Sequence, residues 1–229
     1  MARIAADRET HLTPAEIARE ALRQFDEGGK EPSIRSLAAE LRVAPTAVYY
    51  HFPSQAAIYQ AVVELVWGEA TRYLLELVPN PLEADPIEVL VASGIATRRA
   101  WVEHYAVAPY MAATPEANEF MSNALGLMAN LFERLGLEGE EAAKAFHFYG
   151  SFMIGATLFA ASRKESNARL DARDEAPQVH RPYMRVRPRR RKGLTIDDIA
   201  DLSAVDPQRD EELFAEELRR LVEGFSRRV

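Results

Sequence analysis

The residues between positions 33 and 54, SIRSLAAELRVAPTAVYYHFPS, are of types that hold another molecule by contact and not by bond-making. Ser33 and Arg35 stand at the start of one short segment, and Thr46, Ala47, Tyr49, Tyr50 and His51 crowd a second. Hydroxyls, a guanidinium and an imidazole suit phosphate oxygens, while the methyl groups of threonine and alanine suit the methyl edge of thymine. A second group lies between 95 and 153: Trp101, His104, Tyr105, Tyr110, Met111, Met121, Met128, Phe132, His147, Tyr149, Phe152 and Met153. Aromatics and methionines with a few polar atoms suit the lining of an apolar pocket, and equally suit an ordinary helical core.

Bond-making chemistry has no comparable signature. The chain holds no H-E-x-x-H, no glycine-rich phosphate loop and no G-x-S-x-G. Its five histidines, at 11, 51, 104, 147 and 180, are scattered, and none completes a Glu-x-x-His pair. There is no cysteine, which removes disulfides, thiol catalysis and cysteine-based metal sites. No catalytic residue, metal or cofactor is assigned, and the chain is read as a non-enzyme.

The elements that must carry these residues read as helices. Ile34, Leu37, Ala38 and Leu41 recur at helical spacing, with Ser33 placed to cap them. Leu41 to Ala44 lead to Pro45, whose missing N–H costs nothing at the first position of a new helix. On that second helix Val48 and Phe52 can face the first, which leaves Thr46, Ala47, Tyr49 and Tyr50 outward. Upstream, Thr13-Pro14-Ala15-Glu16 forms a capping box before the apolar stripe Ile17, Ala21, Leu22 and Phe25, and Gly28-Gly29 stops it. Three helices with the last one outward are the shape a major groove accepts.

From Thr13 to about Trp67 the chain resembles the DNA-binding domain of the TetR family of bacterial transcriptional regulators. Ile17, Ala21, Phe25, Gly28 or Gly29, Ser33, Ile34, Arg35, Leu37, Ala38, Val43, Tyr49, His51 and Phe52 carry the likeness. It implies that Ser33 and Arg35 hold phosphates, that Tyr49 and His51 anchor the recognition helix, and that Thr46, Ala47 and Tyr50 approach base edges. The DNA-facing set is then Ser33, Arg35, Pro45, Thr46, Ala47, Tyr49, Tyr50, His51 and Gln55. Packing against the next helix is the other reading of Tyr50 and His51. Two residues depart from the pattern: Ala44 where a capping serine is common, and Gln55 where a phosphate-binding lysine is common.

The rest of the chain also reads as helical, without the alternation of strands. One helix should run from about 55 to 77, spanning roughly 35 Å at 1.5 Å per residue. Asp85-Pro86, Thr114-Pro115 and Asp206-Pro207 mark further helix starts. Residues 140–162 are apolar on nearly every face, and 207–226 carry the stripe Phe214, Leu218, Leu221, Val222 and Phe225. The resemblance implies a homodimer through these two helices, packed as a four-helix bundle. It also implies an unknown small-molecule effector between helices of the larger domain, with Trp101, His104, Tyr105, Met111, Met128, Phe132, His147 and Phe152 as its candidate contacts.

Net charge is −7 over 229 residues, and residues 1–60 balance seven Lys/Arg against eight Asp/Glu. A DNA-facing surface must therefore rest on local placement, with few phosphate contacts and salt-sensitive affinity. Residues 163–192 reverse the sign, with eleven Lys/Arg against four Asp/Glu and prolines 177, 182 and 188. A flexible basic loop over 163–194 is expected. No apolar run reaches the roughly 18 residues of a membrane span, and the N-terminus has no apolar signal core, so the cytoplasm is the expected compartment. The expected organisation is all-α: a helix-turn-helix domain over 1–54, a connecting helix 55–77, and a ligand-binding and dimerisation domain over 78–229. A ligand-responsive dimeric repressor of a double-stranded palindromic operator is the function this implies. The alternative is a helical adaptor for a protein partner, with a weakened DNA-binding domain.

Overall fold

The computed structural model describes residues 12–28, 31–110, 119–171 and 207–226. Met111, the helix start at Thr114-Pro115 and residues 172–194 of the basic segment lie outside them. Among the described residues the chain forms eight α-helices and one 3-10 turn, with no strand. They are α1 (Pro14–Gly28), α2 (Ile34–Leu41), α3 (Pro45–His51), α4 (Gln55–Leu77), α5 (Pro86–Glu103), the turn Ala108–Tyr110, α6 (Glu119–Arg134), α7 (Gly139–Asp171) and α8 (Pro207–Ser226).

The helix ends follow from local chemistry. Thr13 and Glu16 exchange backbone-to-side-chain bonds of 2.9 and 3.2 Å, closing the capping box of α1. Ser33 caps α2 by accepting from the Ser36 amide at 3.0 Å, and Ser54 caps α4 from the Ala57 amide at 3.2 Å. Arg42 ends α2 in the left-handed region at φ 59°, where its N–H reaches back to the Ala38 and Ala39 carbonyls. Asp85 accepts from the Ile87 and Glu88 amides at the start of α5, with proline at the first position.

Two apolar clusters hold these helices. The first buries Ile17, Ala21, Leu22 and Phe25 of α1, Leu37, Ala38 and Leu41 of α2, and Val48 and Phe52 around α3. It continues without a break through Ile58, Val62, Val63 and Val66 of α4 to Ala100, Trp101, Val107 and Ala108. The second joins Leu74 of α4 to Val89 and Leu90 of α5, Leu131 and Phe132 of α6, Tyr149 and Met153 of α7, and Phe214, Leu218 and Val222 of α8. α4, α5 and α7 all contribute to both clusters, and α4, which packs along α1 as well as α5, links the three-helix head to the body.

One expectation needs correction. The flexible loop expected from position 163 does not begin there, because α7 continues to Asp171. The basic residues at its start have partners: Arg163 pairs with Asp210 of α8, and Lys164 Nζ reaches the Glu103 carbonyl at 3.2 Å. Composition alone cannot reveal such tethers, since a charged run reads the same whether its partners are water or a neighbouring helix.

Candidate nucleic-acid interface and the contacts behind it

The outward face of α3 follows from which of its residues α1 and α2 can bury. Val48 is fully buried and Phe52 nearly so, and this fixes the rotation of the helix. Pro45 and Thr46 are consequently exposed, Ala47 is half-buried, and Tyr49 and Tyr50 stand 54% and 85% exposed. At that exposure Tyr50 is not packed into the core of the protomer. His51 is half-buried, with its ring edge-on to Tyr50 at 5.1 Å between centroids. Ser33 and Arg35 are exposed at the start of α2, and Arg42 is exposed at its end. Ala44 is the N-cap of α3 and supplies no side-chain bond there.

Gln55 departs from its expected role as a phosphate contact. Its amide donates to the Pro32 carbonyl at 3.0 Å and also meets the Tyr59 hydroxyl. A lysine would carry its charge outward to solvent, whereas the shorter amide turns inward and pins the segment between α1 and α2. Gln55 therefore holds the head together, and the exposed set reduces to Ser33, Arg35, Pro45, Thr46, Tyr49 and Tyr50, flanked by Ala47 and His51.

Behind the head, the segment after α5 grips α1 and the approach to α2. His104, the C-cap of α5, places Nδ1 2.9 Å from Asp26 of α1 and Nε2 2.8 Å from Glu69 of α4. Burial alone would lower the imidazole's pKa, but its two carboxylate partners outweigh this and raise it from 6.5 to about 9. The ring is thus an imidazolium donating from both nitrogens. Six residues on, the Tyr110 hydroxyl donates to Glu31, and its ring packs edge-on to Phe25 and Tyr59 at 5.9 and 5.5 Å. Burial and the Glu31 carboxylate raise the Tyr110 pKa, so this donor stays protonated. Tyr59 also donates to the Pro32 carbonyl at 3.2 Å. The carboxylates Asp26, Glu31 and Glu69 carry no sequence signal of this role, because they lie 78, 79 and 35 positions from their partners.

The candidate effector contacts do not converge on one cavity. His104 has both ring nitrogens committed to carboxylates, which leaves neither for a ligand. His147 is exposed on α7 beside the exposed Phe146 and Phe148, because the inner face of that helix is taken by Ala145, Tyr149 and Met153. Trp101 is fully buried in the first cluster, edge-on to Trp67 at 5.5 Å, and Tyr105 packs nearby. Phe132 and Met128 belong to the second cluster, and Phe152 stacks on Phe214 at 5.9 Å. A groove of about 330 Å³ between α1 and α4 and another of about 490 Å³ between α5 and α8 are lined by other residues. Among the described residues there is no group of three or more potential metal ligands and no helix able to cross a membrane.

Comparison with known proteins agrees with this layout. A family model described as "Bacterial regulatory proteins, tetR family" matches residues 17–62, and one described as "Tetracyclin repressor-like, C-terminal domain" matches 78–229. No curated protein matches the sequence. Among solved structures, the regulator SCO7222, a TetR from Streptomyces coelicolor, is similar at TM-score 0.66 and 17% identity, covering 94% of this chain and 98% of that one. The TetR family protein ActR from the same organism, in complex with actinorhodin, gives 0.66 and 22%, covering 93% and 95%. A TetR variant from Acinetobacter baumannii AYE, in complex with minocycline, gives 0.63 and 19%, covering 94% and 97%.

Proposed function

The chain belongs to the TetR family of bacterial regulatory proteins, and from that premise we propose that it is a cytoplasmic, dimeric repressor released from a palindromic operator by a small apolar or aromatic effector. The observation that carries the reading is the outward face of α3: a short helix seated on a buried Val48 and Phe52 exposes Thr46, Tyr49 and Tyr50 beside Ser33 and Arg35. Tyr49 and Arg35 would position the helix on phosphates, and Thr46, Ala47 and Tyr50 would meet base edges. The recognition helix has no arginine, lysine, asparagine or glutamine of its own. Bidentate reading of guanine or adenine is thereby unavailable to it, and methyl contact with thymine is its natural mode.

Dimerisation would use α7 and α8. Phe148, Ser151, Gly155, Phe159 and Ser162 form one exposed stripe on α7 at helical spacing, with Phe148 and Phe159 65% and 63% exposed. Two large apolar rings on one exposed face call for a cover, and the small residues Ser151, Gly155 and Ser162 between and beside them let a second helix come close. Two heads so joined would set their α3 helices in successive major grooves, roughly 34–36 Å apart.

Effector binding in the body would act on the head through α4 and through the His104 and Tyr110 contacts. Any such release requires the effector to bind the two arrangements with different affinity. ActR and the Acinetobacter TetR hold actinorhodin and minocycline in their structures, which supports an organic effector for this chain. The adaptor alternative has no observation in its favour.

Selection of bound sequences from random DNA at fixed salt tests the proposal. A T-rich palindrome with half-sites one helical turn apart is the expected product. Recovery of no enriched sequence, or of an asymmetric one, would refute dimeric operator binding.

A further inference from the structure

The described residues leave three buried side-chain polar atoms without a hydrogen-bond partner: Arg98 Nε, Trp101 Nε1 and Thr157 Oγ1. Arg98 and Trp101 lie on α5 and Thr157 on α7, which packs against it, while the Arg98 guanidinium reaches on to Asp210 and the Phe214 ring of α8. The two helices run parallel there. The Tyr149 hydroxyl donates to the Leu90 carbonyl at 2.8 Å, Gly94 abuts Met153, and Lys164 reaches the Glu103 carbonyl. Positions on α7 thus lie level with α5 positions about 60 earlier, which puts Thr157 level with Arg98. Trp101 sits one turn further along α5, and helical side chains lean toward the N-terminus, back to that level.

These atoms share one chemistry. Arg98 Nε and Trp101 Nε1 are donors only, and the threonine hydroxyl donates as readily as it accepts. Arg98 is 8% exposed, while Trp101 and Thr157 are fully buried. An unmade bond at such depth costs enough that native proteins almost always supply a partner. Nearby charge has the same sign, since Asp210 is shared by the guanidiniums of Arg98 and Arg163. A water could accept two of these donors, but its own two hydrogens would then need acceptors that the three atoms barely offer. A carboxylate accepts all three and brings no hydrogen with it, and its bonds to Arg98 are strengthened by charge. The surroundings are otherwise apolar: Trp101 lies edge-on to Trp67 in the cluster that also holds Ala100, Ile154, Leu158 and Ala161.

We propose that Arg98, Trp101 and Thr157 form the polar anchor of the effector site, and that the effector is an organic carboxylate with an apolar body. This rests on the effector reading above and specifies its ligand class. The anchor lies three residues before His104, so a ligand seated there would bear directly on the segment that grips the head.

Calorimetric titration of the full-length protein with 2-naphthoate, neutral 2-naphthylmethanol and cationic 2-naphthylmethylammonium tests it. The carboxylate should bind at least tenfold more tightly than either analogue. Thr157→Val, which keeps the shape, and Trp101→Phe, which removes the N–H, should each weaken naphthoate about tenfold and leave the alcohol unchanged. Equal affinity for all three probes, no naphthoate binding up to about 1 mM, or unaltered binding by Thr157→Val would overturn the proposal. The last result would assign the seam to a buried water. Operator titration with and without naphthoate separates the two readings. A probe that binds in the expected order but never releases DNA leaves the anchor standing and refutes the inducer role. A selected palindrome with no probe binding refutes the anchor alone.

Discussion

Replacement of His104 by glutamine should destabilise the protein by an amount that depends on pH in a fixed direction. The imidazolium bonds Asp26 and Glu69 at 2.9 and 2.8 Å, and its side chain is 12% exposed against 35% for each carboxylate. Its pKa rises from 6.5 to about 9 in the folded protein. At about 1.4 kcal/mol per pH unit that rise would be worth roughly 3 kcal/mol, and solvent reaching both carboxylates reduces this to about 1–2 kcal/mol. A group whose pKa is raised on folding stabilises fully below its unfolded pKa. The contribution is therefore complete below about pH 6.5 and is lost as pH rises through about 9. Glutamine offers one neutral donor group and cannot follow this profile. Urea unfolding at fixed protein concentration, since a dimer's stability depends on it, should give a gap of about 1–2 kcal/mol between wild type and His104→Gln at pH 6, closing toward pH 10. A gap constant from pH 6 to pH 10 would refute the imidazolium clamp, as would a His104 resonance titrating near the ordinary histidine value.

Further expectations concern the head, the seam and the outer stripe. Tyr49→Ala and Arg35→Ala should each weaken operator binding without lowering the melting temperature, because both side chains are exposed; unchanged operator titrations would remove them from the DNA face. Gly94→Ala should cost about 1–3 kcal/mol, since a methyl group there would overlap Leu218 and press on Met153 and the Tyr149 hydroxyl; a melting temperature equal to wild type would contradict the packing of α5 against α7 and α8. Phe148→Glu combined with Phe159→Glu should yield monomers by light scattering with helicity intact; persistence of the dimer would move the interface elsewhere.

Much of the head was legible because its signals are local. The capping box at Thr13, the cap at Ser33, Pro45 at the start of α3 and the cap at Ser54 each act within four residues. The bounds of α4, Gln55–Leu77, follow from a serine cap and a proline pair after the helix. The outward set on α3 also followed, since burying Val48 and Phe52 leaves the other residues of so short a helix to face away. Gln55 did not follow: its amide spans 23 positions to Pro32, and sequence pattern gives such a contact no period.

The body was legible as helices but not as a site. Residues 140–162, apolar on nearly every face, could be assigned no inner face from their sequence, because every rotation buries similar area; contact with α5 and α8 selects Tyr149, Met153 and Thr157 and turns Phe148 and Phe159 outward. His104 and His147 read alike in sequence, yet one is locked between two carboxylates and the other is exposed. By itself the sequence determined the helices, their caps and the outward face of α3, because spacing and capping are short-range physics. Tertiary structure alone decided which carboxylates meet His104 and which polar atoms are left unpaired on the α5–α7 seam. Those outcomes depend on residues tens of positions apart being brought within hydrogen-bond reach.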